Sequence, residues 1–340
     1  MSAMTYAKLG NSGLTVSRIG LGCMSYGDPD RGAHSWTLTR DRALPLLRDA
    51  YEAGINFFDT ANIYSLGHSE EILGEAIAEF GRDNVVVATK VFETMNPANP
   101  LSGGLSRRSI LTEVDASLRR LNTDYIDLYI IHRWDPRTPI VETMAALDSL
   151  VRAGKVRYLG ASSMYAWQFS KAQHSATHNG LTPFISMQNH YNLLYREEER
   201  EMLPLCSDLD VGLTPWSPLA RGKLARSASR EQTARASKDP ILDRFYTRTA
   251  DMDAPVIDAV ANVAREHGAS MASIALAWLL QRPQVVSPIV GVTRPHHLAD
   301  VVTSLEVRFT DDQTKQLESQ YVPHEVAELG DPATTTTVRI

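Results

Sequence analysis

The chain has 340 residues, of which 43% are hydrophobic and 22% charged, and its formal net charge at pH 7 is −6. This acidic surplus argues against a surface for nucleic acid or anionic membranes, and the composition is ordinary for a globular protein with a substantial core. Two cysteines, Cys23 and Cys206, are too few for a disulfide framework and fit a reducing compartment. No run approaches the roughly 20 apolar residues of a membrane-spanning helix, and the opening segment MSAMTYAKLG lacks a signal-peptide stretch. We therefore expect a cytoplasmic protein that contacts neither nucleic acid nor membrane.

Short apolar runs alternate with longer amphipathic ones along almost the whole chain. The segment Tyr6–Ile19 predicts a β-hairpin, with Asn11-Ser12-Gly13 as its turn. Strands are then predicted over Arg18–Met24, Asn56–Thr60, Val85–Val91, Ile126–His132, Arg157–Ser162, Phe184–Asn189, Gly212–Trp216 and Ser287–Val292. Helices are predicted over Asp41–Ala53, Ser69–Phe80, Arg107–Leu121, Ile140–Ala153, Ala166–His178, Glu197–Asp208, Ala254–Glu266, Met271–Gln281 and Pro295–Val302.

Eight strand–helix alternations with nearly continuous apolar strands predict a parallel sheet that is buried on both faces. A (β/α)8 TIM barrel fits this count, and a doubly wound open sheet is the competing interpretation. We expect one domain over residues 1–340, with a core at about residues 5–305 and an extension at 306–340. Arg221–Asp253 is predicted to be a long loop after strand seven. The tail from Thr310, which ends in four threonines at positions 334–337, is expected to be part helix and part strand or coil.

Three successive predicted strands deliver an ionisable residue to their carboxyl ends, which is where barrel enzymes place their chemistry. Strand two ends at Asp59, with Tyr64 in the following loop, strand three ends at Lys90, and strand four ends at His132. Each residue alone has an ordinary structural explanation, as a helix cap, a solvated strand end or a satisfied histidine. Their coincidence at one rim of the barrel favours a functional site.

Other motifs predict less. The segment at residues 20–27, GLGCMSYG, is only superficially like a dinucleotide-binding glycine loop because its third glycine is displaced, so a Rossmann fold is disfavoured. No His-x-His pair ends a strand, and His296 and His297 are adjacent on a predicted helix, so no metal site is expected. Cys23 lies in an apolar strand and is expected to be packed rather than reactive.

Four sequence segments together resemble one enzyme family. Residues 54–64, GINFFDTANIY, followed by residues 69–74, SEEILG, resemble the signature of the aldo-keto reductase superfamily. Residues 150–160, LVRAGKVRYLG, and 215–219, PWSPL, are similar to two further landmarks of that family. The matches extend in order over about residues 9–305. The resemblance implies a (β/α)8 barrel that binds NAD(P)H without a Rossmann domain. It points to a bacterial branch close to channel β subunits and versiconal hemiacetal acetate reductases.

Carbonyl reduction needs a hydride donor, a proton donor near the developing alkoxide, and a polar group that stabilises that charge. Tyrosine has an ordinary pKa of about 10, and a nearby ammonium lowers it. The resemblance implies that Tyr64 is the general acid, that Lys90 and Asp59 tune it, and that His132 orients the carbonyl. NADPH-dependent reduction of an aldehyde or ketone is therefore expected. The alternative is an NAD(P)H-binding regulatory or channel-associated subunit with little turnover.

The resemblance also implies where the cofactor is held. The matching positions are Ser162, Ser163 and Gln188 for the carboxamide, Trp216 for the nicotinamide ring, Ser217, Leu219, Arg221 and Gly222 for the diphosphate, and Gly291, Thr293, Arg294 and His297 for the adenosine end. Arg294 is the candidate cation for a 2′-phosphate, which favours NADPH over NADH. Ser163, His297 and Val301 depart from residues that many relatives carry. NADH is therefore also expected to be accepted, although less well than NADPH.

The substrate side is predicted from aromatic residues near the strand ends. We expect Tyr26, Phe92 and Trp134, together with Trp216, to surround the carbonyl, with Arg133 and the Arg221–Asp253 loop at the rim. Such a pocket fits small aldehydes and aromatic or aliphatic ketones. The sequence does not decide between a monomer and a homo-oligomer.

Overall fold

The computed structural model describes residues 4–32, 34–226, 242 and 245–326 of the chain. Most of the predicted Arg221–Asp253 loop lies outside these residues, and so do the four threonines at positions 334–337. None of the helices in the described ranges is long and apolar enough to cross a membrane.

The chain begins with the predicted hairpin, formed by the antiparallel strands β1 (Tyr6–Lys8) and β2 (Thr15–Ser17). Gly10 turns the chain with a φ of +58°, and a Cβ at this position would lie 2.4 Å from the carbonyl oxygen of Ile185. Only glycine fits so close a backbone contact in this conformation. The N–H of Asn11 also donates to the carbonyl of Asp210 at 2.7 Å, so the hairpin closes the amino end of the sheet that follows.

Eight parallel strands in the described residues form one curled sheet, in which consecutive strands are neighbours. They are β3 (Gly20–Gly22), β4 (Phe57–Asp59), β5 (Val86–Val91), β6 (Ile126–Ile131), β7 (Val156–Ser162), β8 (Phe184–Gln188), β9 (Gly212–Leu213) and β10 (Ile289–Val290). β10 also pairs with β3. Leu213 forms a parallel bridge with Val285, and the N–H of Ile289 donates to the carbonyl of Pro215 at 2.9 Å. These contacts join the last strands to the first, which confirms the (β/α)8 barrel and excludes the open sheet.

Helices alternate with the strands and cover the outside of the barrel. They are α1 (Arg40–Glu52), α2 (His68–Phe80), α3 (Arg107–Leu121), α4 (Ile140–Arg152), α5 (Ala166–His178), α6 (Met202–Asp208), α7 (Ala250–His267), α8 (Met271–Leu280), α9 (Pro295–Thr303) and α10 (Asp311–Glu318). The predicted helices are confirmed with small shifts at their ends, apart from Glu197–Asp208. α10 confirms that the tail after Thr310 is partly helical, and a capping box between Thr310 and Gln313 begins it.

The segment predicted as one helix over Glu197–Asp208 is two elements. A 3-10 turn spans Glu197–Glu199, Glu201 has non-helical angles (φ −135°, ψ −48°), and α6 begins at Met202. In a continuous helix Pro204 would lie in the interior, where its ring clashes with the carbonyl four residues earlier. In α6 it lies in the first turn, where a missing N–H costs nothing.

Candidate active site

Side-chain alternation along neighbouring strands directs three ionisable residues into the barrel. Phe57 packs with the hairpin residues inside the barrel, whereas Phe58 packs outward against the helices. Ala88 and Ile130 face inward in the same way. Because side chains alternate with a period of two, the residues two positions further along also face inward, at the carboxyl ends of the strands. These residues are Asp59 in β4, Lys90 in β5 and His132 directly after β6.

The Lys90 ammonium links two acid–base groups, Asp59 and Tyr64, and also contacts a backbone carbonyl. Nζ of Lys90 donates to Oδ1 of Asp59 at 2.5 Å and to the carbonyl oxygen of Thr60 at 2.8 Å, and it lies 3.5 Å from the Tyr64 hydroxyl. Lys90 is fully buried and Asp59 is 2% exposed. A buried charge is costly without a partner, and this pair supplies one together with further hydrogen bonds.

Tyr64 reaches this pair from an irregular turn rather than from a strand. It begins a 3-10 turn over Tyr64–Gly67, in which Ser65 and Leu66 have φ values of +47° and +51°. Residues other than glycine rarely adopt this left-handed conformation, and such strain is concentrated at functional sites. The turn brings the partly buried phenol beside Lys90, and the Tyr64 ring meets the His132 ring edge-on at 5.9 Å.

Burial and the neighbouring charges set the protonation states of these groups. Burial raises the pKa of Tyr64, and Lys90 opposes that shift without reversing it. Burial alone would lower the pKa of Lys90, but Asp59 and Tyr64 outweigh it and raise the pKa above its ordinary value. At neutral pH, therefore, Lys90 is charged and Tyr64 keeps its proton. The expected lowering of the Tyr64 pKa by the ammonium is present, but burial is the larger effect and the net shift is upward.

His132 is held as a neutral imidazole. Burial, followed by the charges of Lys90 and Arg133, lowers its pKa well below the ordinary value. Its Nδ1 atom is buried and has no hydrogen-bond partner among the described residues. A neutral imidazole carries one N–H donor and one acceptor nitrogen, so His132 can hydrogen-bond an uncharged oxygen without adding a second cation beside Lys90.

A cavity of about 1340 Å³ opens at the carboxyl end of the barrel, next to Asp59, Tyr64 and His132. All the residues expected to hold a dinucleotide line it. They are Ser162, Ser163, Gln188, Trp216, Ser217, Leu219, Arg221, Gly222, Gly291, Thr293, Arg294 and His297. A site for one drug-sized ligand has a volume of roughly 300 to 1,000 Å³. The cavity is therefore large enough for a dinucleotide and a small second molecule.

Hydrogen bonds connect the acid–base residues with the positions expected to hold the carboxamide. Nε2 of Gln188 donates to Oδ2 of Asp59 at 2.8 Å, so this carboxylate is shared by Gln188 and Lys90. Nε1 of Trp216 donates to Oγ of Ser163 at 3.0 Å, and Oγ of Ser163 lies 3.2 Å from Oγ of Ser162. Ser163, which departs from the expected family pattern, therefore holds the indole in place.

The cavity is cationic next to α9. Arg226 and Arg294 line it there, and Arg294 directly precedes α9, which begins with Pro295. Arg221 lines the same cavity, with its charge close to His190. Burial and the nearby charge of Arg294 lower the pKa of Arg226, so the two guanidinium groups are close enough to repel each other. Cations beside a helix N-terminus suit phosphate groups. The donor set thus fits a dinucleotide with its phosphates at this end and its nicotinamide near Trp216.

The expected aromatic wall of the substrate pocket differs from the observed one. Tyr26 is fully buried, and its hydroxyl donates to the carbonyl of Val292 at 2.7 Å, so its ring belongs to the core. Phe92 and Trp134 pack against the same core and are absent from the lining of the described cavity, whereas Arg133 lines it. Residues 34–38 line the same cavity as Tyr64, and they include the rings of His34 and Trp36.

Trp36 and Arg226 are among the contributors to this cavity that sequence reasoning missed. Trp36 lies after β3 in the segment that leads to α1, and an aromatic residue in a loop at the carboxyl end of a barrel strand was the available signal. Arg226 lies four residues after Gly222, just before the undescribed part of the long loop. Among the described residues no group of three or more His, Cys, Asp or Glu side chains is arranged to hold a metal ion.

Comparisons with known proteins agree with this geometry. Residues 18–321 match the model of the Aldo/keto reductase family. A versiconal hemiacetal acetate reductase of Aspergillus parasiticus is 45% identical, and the alignment covers 94% of this chain and 98% of the relative. An aldo-keto reductase of Metarhizium robertsii is 42% identical over 94% of this chain and 92% of its own length. A putative aryl-alcohol dehydrogenase of Schizosaccharomyces pombe is 41% identical, and the alignment covers 95% of this chain and 97% of the relative.

These relatives are fungal and yeast proteins, so the expected bacterial branch is not supported. The family match covers most of the chain and includes the strands that carry Asp59, Lys90 and His132. Proteins of this family generally use NAD(P)H, and the relatives are named for reductase and dehydrogenase activities. The chain therefore belongs to the aldo/keto reductase family and is an oxidoreductase with a (β/α)8 barrel fold.

Proposed function

We propose that this protein is an NADPH-dependent reductase of small aldehydes and ketones, with Tyr64 as the proton donor. One observation carries the proposal. The buried Lys90 ammonium contacts Asp59 at 2.5 Å and lies 3.5 Å from the Tyr64 hydroxyl, beside a cavity that the expected cofactor residues also line. The residues 1–340 are proposed to act as a single barrel with an extension from residue 306.

In the proposed reaction the carbonyl oxygen gains negative charge and then a proton. The bound nicotinamide cofactor supplies the hydride. Tyr64 gives its O–H proton to the developing alkoxide, which leaves a phenolate that takes a proton back from water. The Lys90 ammonium stabilises this phenolate, and because Asp59 keeps Lys90 charged, the stabilisation is already in place before the reaction.

His132 is proposed to orient the carbonyl. As a neutral imidazole it can donate one hydrogen bond to the oxygen that Tyr64 will protonate, and it lies next to the Tyr64 ring. A protonated imidazole would compete with Tyr64 as the acid. Burial and the neighbouring cations disfavour that form, so the proton is assigned to Tyr64.

The cofactor is proposed to lie along the cavity. Ser162, Ser163 and Gln188 would hold the carboxamide and Trp216 would stack on the ring, while the phosphates would meet the cationic end. The guanidinium groups of Arg294 and Arg226 favour a cofactor with a 2′-phosphate, so NADPH should bind more tightly than NADH. Diphosphate contacts are assigned to Ser217, Leu219, Arg221 and Gly222, and adenosine contacts to Gly291, Thr293 and His297.

The names of the relatives suggest which substrates to try first. They are called a versiconal hemiacetal acetate reductase and a putative aryl-alcohol dehydrogenase. Trp36 lines the same cavity as Tyr64 and offers an aromatic surface. We therefore propose aromatic aldehydes and masked aldehydes such as hemiacetals as the preferred substrates.

The test is NADPH oxidation over a panel of aromatic aldehydes, aliphatic aldehydes, ketones and sugar aldehydes, with NADH run alongside. Tyr64→Phe should keep NADPH affinity and lose most of the turnover. Tyr6→Phe is the matched control, because this exposed hairpin tyrosine donates to the carbonyl of Gly54 far from the cavity. Unchanged turnover in Tyr64→Phe would refute the proton donor. NADPH binding with no turnover on any carbonyl would favour the regulatory subunit instead.

A further inference from the structure

Trp216 is one end of a column of three stacked rings. The centroid of the His190 imidazole lies 4.3 Å from the centroid of the Trp216 indole, and the two ring planes make an angle of 12°. The Tyr195 phenol stacks on the same imidazole, with a centroid distance of 4.3 Å and an angle of 9°. We call Trp216, His190 and Tyr195 the ring column. His190 is 4% exposed and Tyr195 3%, whereas Trp216 is only partly buried and lines the cavity.

This arrangement determines which part of Trp216 a ligand can reach. His190 covers one face of the indole, so the surface that Trp216 gives to the cavity must come from the opposite face or the ring edge. The indole N–H is bound by Ser163, which fixes the rotation of the ring in its own plane. His190 then fixes its tilt, because offset or parallel stacking restricts the angle between the two rings.

His190 itself is held from several directions. It forms a parallel backbone bridge with Trp216, and its Nε2 atom hydrogen-bonds the Tyr246 hydroxyl at 2.7 Å. Asn192 donates to that hydroxyl at 3.1 Å and to the carbonyl of Ser217 at 3.0 Å. The imidazole cannot rotate without breaking the bond to Tyr246. The bond therefore fixes the rotation of the imidazole within the column.

We propose that His190 and Tyr195 are positioning residues, whose stacked rings fix the orientation in which Trp216 meets the nicotinamide of the cofactor. This inference rests on the proposed function, because it presupposes a nicotinamide cofactor at Trp216. Neither residue touches the reacting atoms. Burial, followed by the charges of Arg221, His324 and Arg133, also lowers the pKa of His190 well below its ordinary value, so the ring in the column is neutral at neutral pH.

The proposal separates two contributions of His190 that substitutions can test independently. His190→Ala removes both the stack and the bond to Tyr246. His190→Phe keeps an aromatic ring against Trp216 and removes the bond, and Tyr246→Phe removes the bond from the other side. If the stack positions the indole, His190→Ala should raise the Kd for NADPH by about tenfold, whereas the two phenylalanine variants should stay within about twofold of the unmodified protein.

The measurement is quenching of tryptophan fluorescence on titration with NADPH and NADP⁺, together with steady-state turnover on one accepted aldehyde. The chain has five tryptophans, so Trp216→Phe identifies the part of the signal that belongs to the column. His190→Ala should lose most of this quenching, raise the Kd for the cofactor and leave the KM for the aldehyde nearly unchanged. His174→Ala, an exposed histidine on α5, is the matched control and should change none of these values.

The outcomes are distinct. A His190→Ala protein that is less stable to heat but binds NADPH with unchanged Kd and quenching would show that the column is only packing, and would overturn the proposal. His190→Phe with the same loss as His190→Ala would also overturn it, because the stack would then not be the active element. If the unmodified protein bound no NADPH or NADP⁺, the proposed function itself would fail. Restoration of NADPH affinity by His190→Phe relative to His190→Ala is the result that supports positioning by stacking.

Discussion

The ammonium of Lys90 and the carboxylate of Asp59 form a buried ion pair, with Nζ 2.5 Å from Oδ1. Each group lies in a part of the barrel that water hardly reaches, since Lys90 is fully buried and Asp59 is 2% exposed. Breaking such a pair leaves a charge without compensation, which costs more than the pair itself contributes. Substituting both residues should therefore cost less stability than substituting Lys90 alone. Turnover should be lost whenever Lys90 is replaced.

Lys90→Met should reduce turnover by at least about 100-fold, because the phenolate of Tyr64 loses its stabilising cation. It should also lower the free energy of unfolding by about 3 to 5 kcal/mol, since Asp59 stays buried without a cation. The double variant Lys90→Met/Asp59→Asn should recover most of the stability and none of the turnover. Denaturant unfolding and NADPH oxidation measure the two effects. Recovery of turnover in the double variant would contradict the role of Lys90.

The positions of Asp59, Lys90 and His132 could be predicted from the sequence because side chains in strands alternate strictly. Once Phe57 is known to face inward, Asp59 has to do the same. Tyr64 lies on a turn with left-handed residues at 65 and 66, and no periodicity describes such a turn. Only the resemblance to a family indicated this residue.

The sequence predicted which strand side chains face the barrel interior better than it predicted which side chains line the cavity. Tyr26 was expected to border the substrate, yet its hydroxyl is bound by the carbonyl of Val292 in the core. Residue type does not distinguish an aromatic ring that lines a cavity from one that packs behind it. Arg226 was missed for a similar reason, because an arginine in a polar loop looks solvated until the fold places it near Arg294.

A second buried carboxylate, on helix α2, forms a hydrogen bond with the strand that carries Lys90. Glu70 in α2 is fully buried and accepts hydrogen bonds from the hydroxyl of Thr89 at 2.6 Å and from Nε of Arg120 at 2.5 Å. Glu70→Gln should lower the free energy of unfolding by about 3 kcal/mol, because it leaves Arg120 without its closest anion in a largely buried place.

The control for Glu70 is Glu75→Gln on the same helix. Glu75 pairs with Arg40 at the surface, and such exposed pairs contribute little to stability because water screens them. Denaturant unfolding of both variants gives the comparison. Equal losses would show that burial does not determine the contribution of these ion pairs. Neither variant should change the turnover of the folded protein by more than about twofold, because both side chains lie outside the cavity lining.

The pH dependence of reduction follows from the two pKa shifts. The pKa of Tyr64 is raised above its ordinary value of 10.0, so the acid form persists through neutral and mildly alkaline pH. The pKa of His132 is lowered well below 6.5, so the imidazole stays neutral as the pH falls through 6.5. The turnover of the reduction should therefore be flat between about pH 6.5 and pH 9 and decline only above that range.

This profile is measured as kcat for aldehyde reduction in buffers of constant ionic strength. A protonation that inactivates the enzyme near pH 6.5 would mean that His132 titrates normally, which would contradict its burial beside Lys90 and Arg133. A decline beginning near pH 8 would mean that Lys90 depresses the pKa of Tyr64 below its ordinary value. The variant His132→Asn keeps a neutral donor and should keep the flat region at a lower rate.

Preference for NADPH over NADH should depend on Arg294. A charge-assisted hydrogen bond between a guanidinium and a phosphate contributes about 1.5 to 3 kcal/mol, so Arg294→Ala should raise the Kd for NADPH by roughly 10- to 100-fold. NADH lacks the 2′-phosphate, and its Kd should change by less than about twofold. Lys171→Ala, an exposed residue of α5 on another side of the barrel, is the control for the loss of one positive charge. Arg226→Ala should act in the same direction with a smaller effect.

Salt provides an independent check on this assignment. Added salt screens an exposed charge pair, so the Kd of the unmodified protein for NADPH should rise with ionic strength, and the rise should be smaller in Arg294→Ala. If Arg294→Ala instead weakened NADH and NADPH equally, Arg294 would contact the part that the two cofactors share, such as the diphosphate. The preference would then have to come from Arg226 or from another cation at the same end of the cavity, and Arg226→Ala would lose the preference that Arg294→Ala kept.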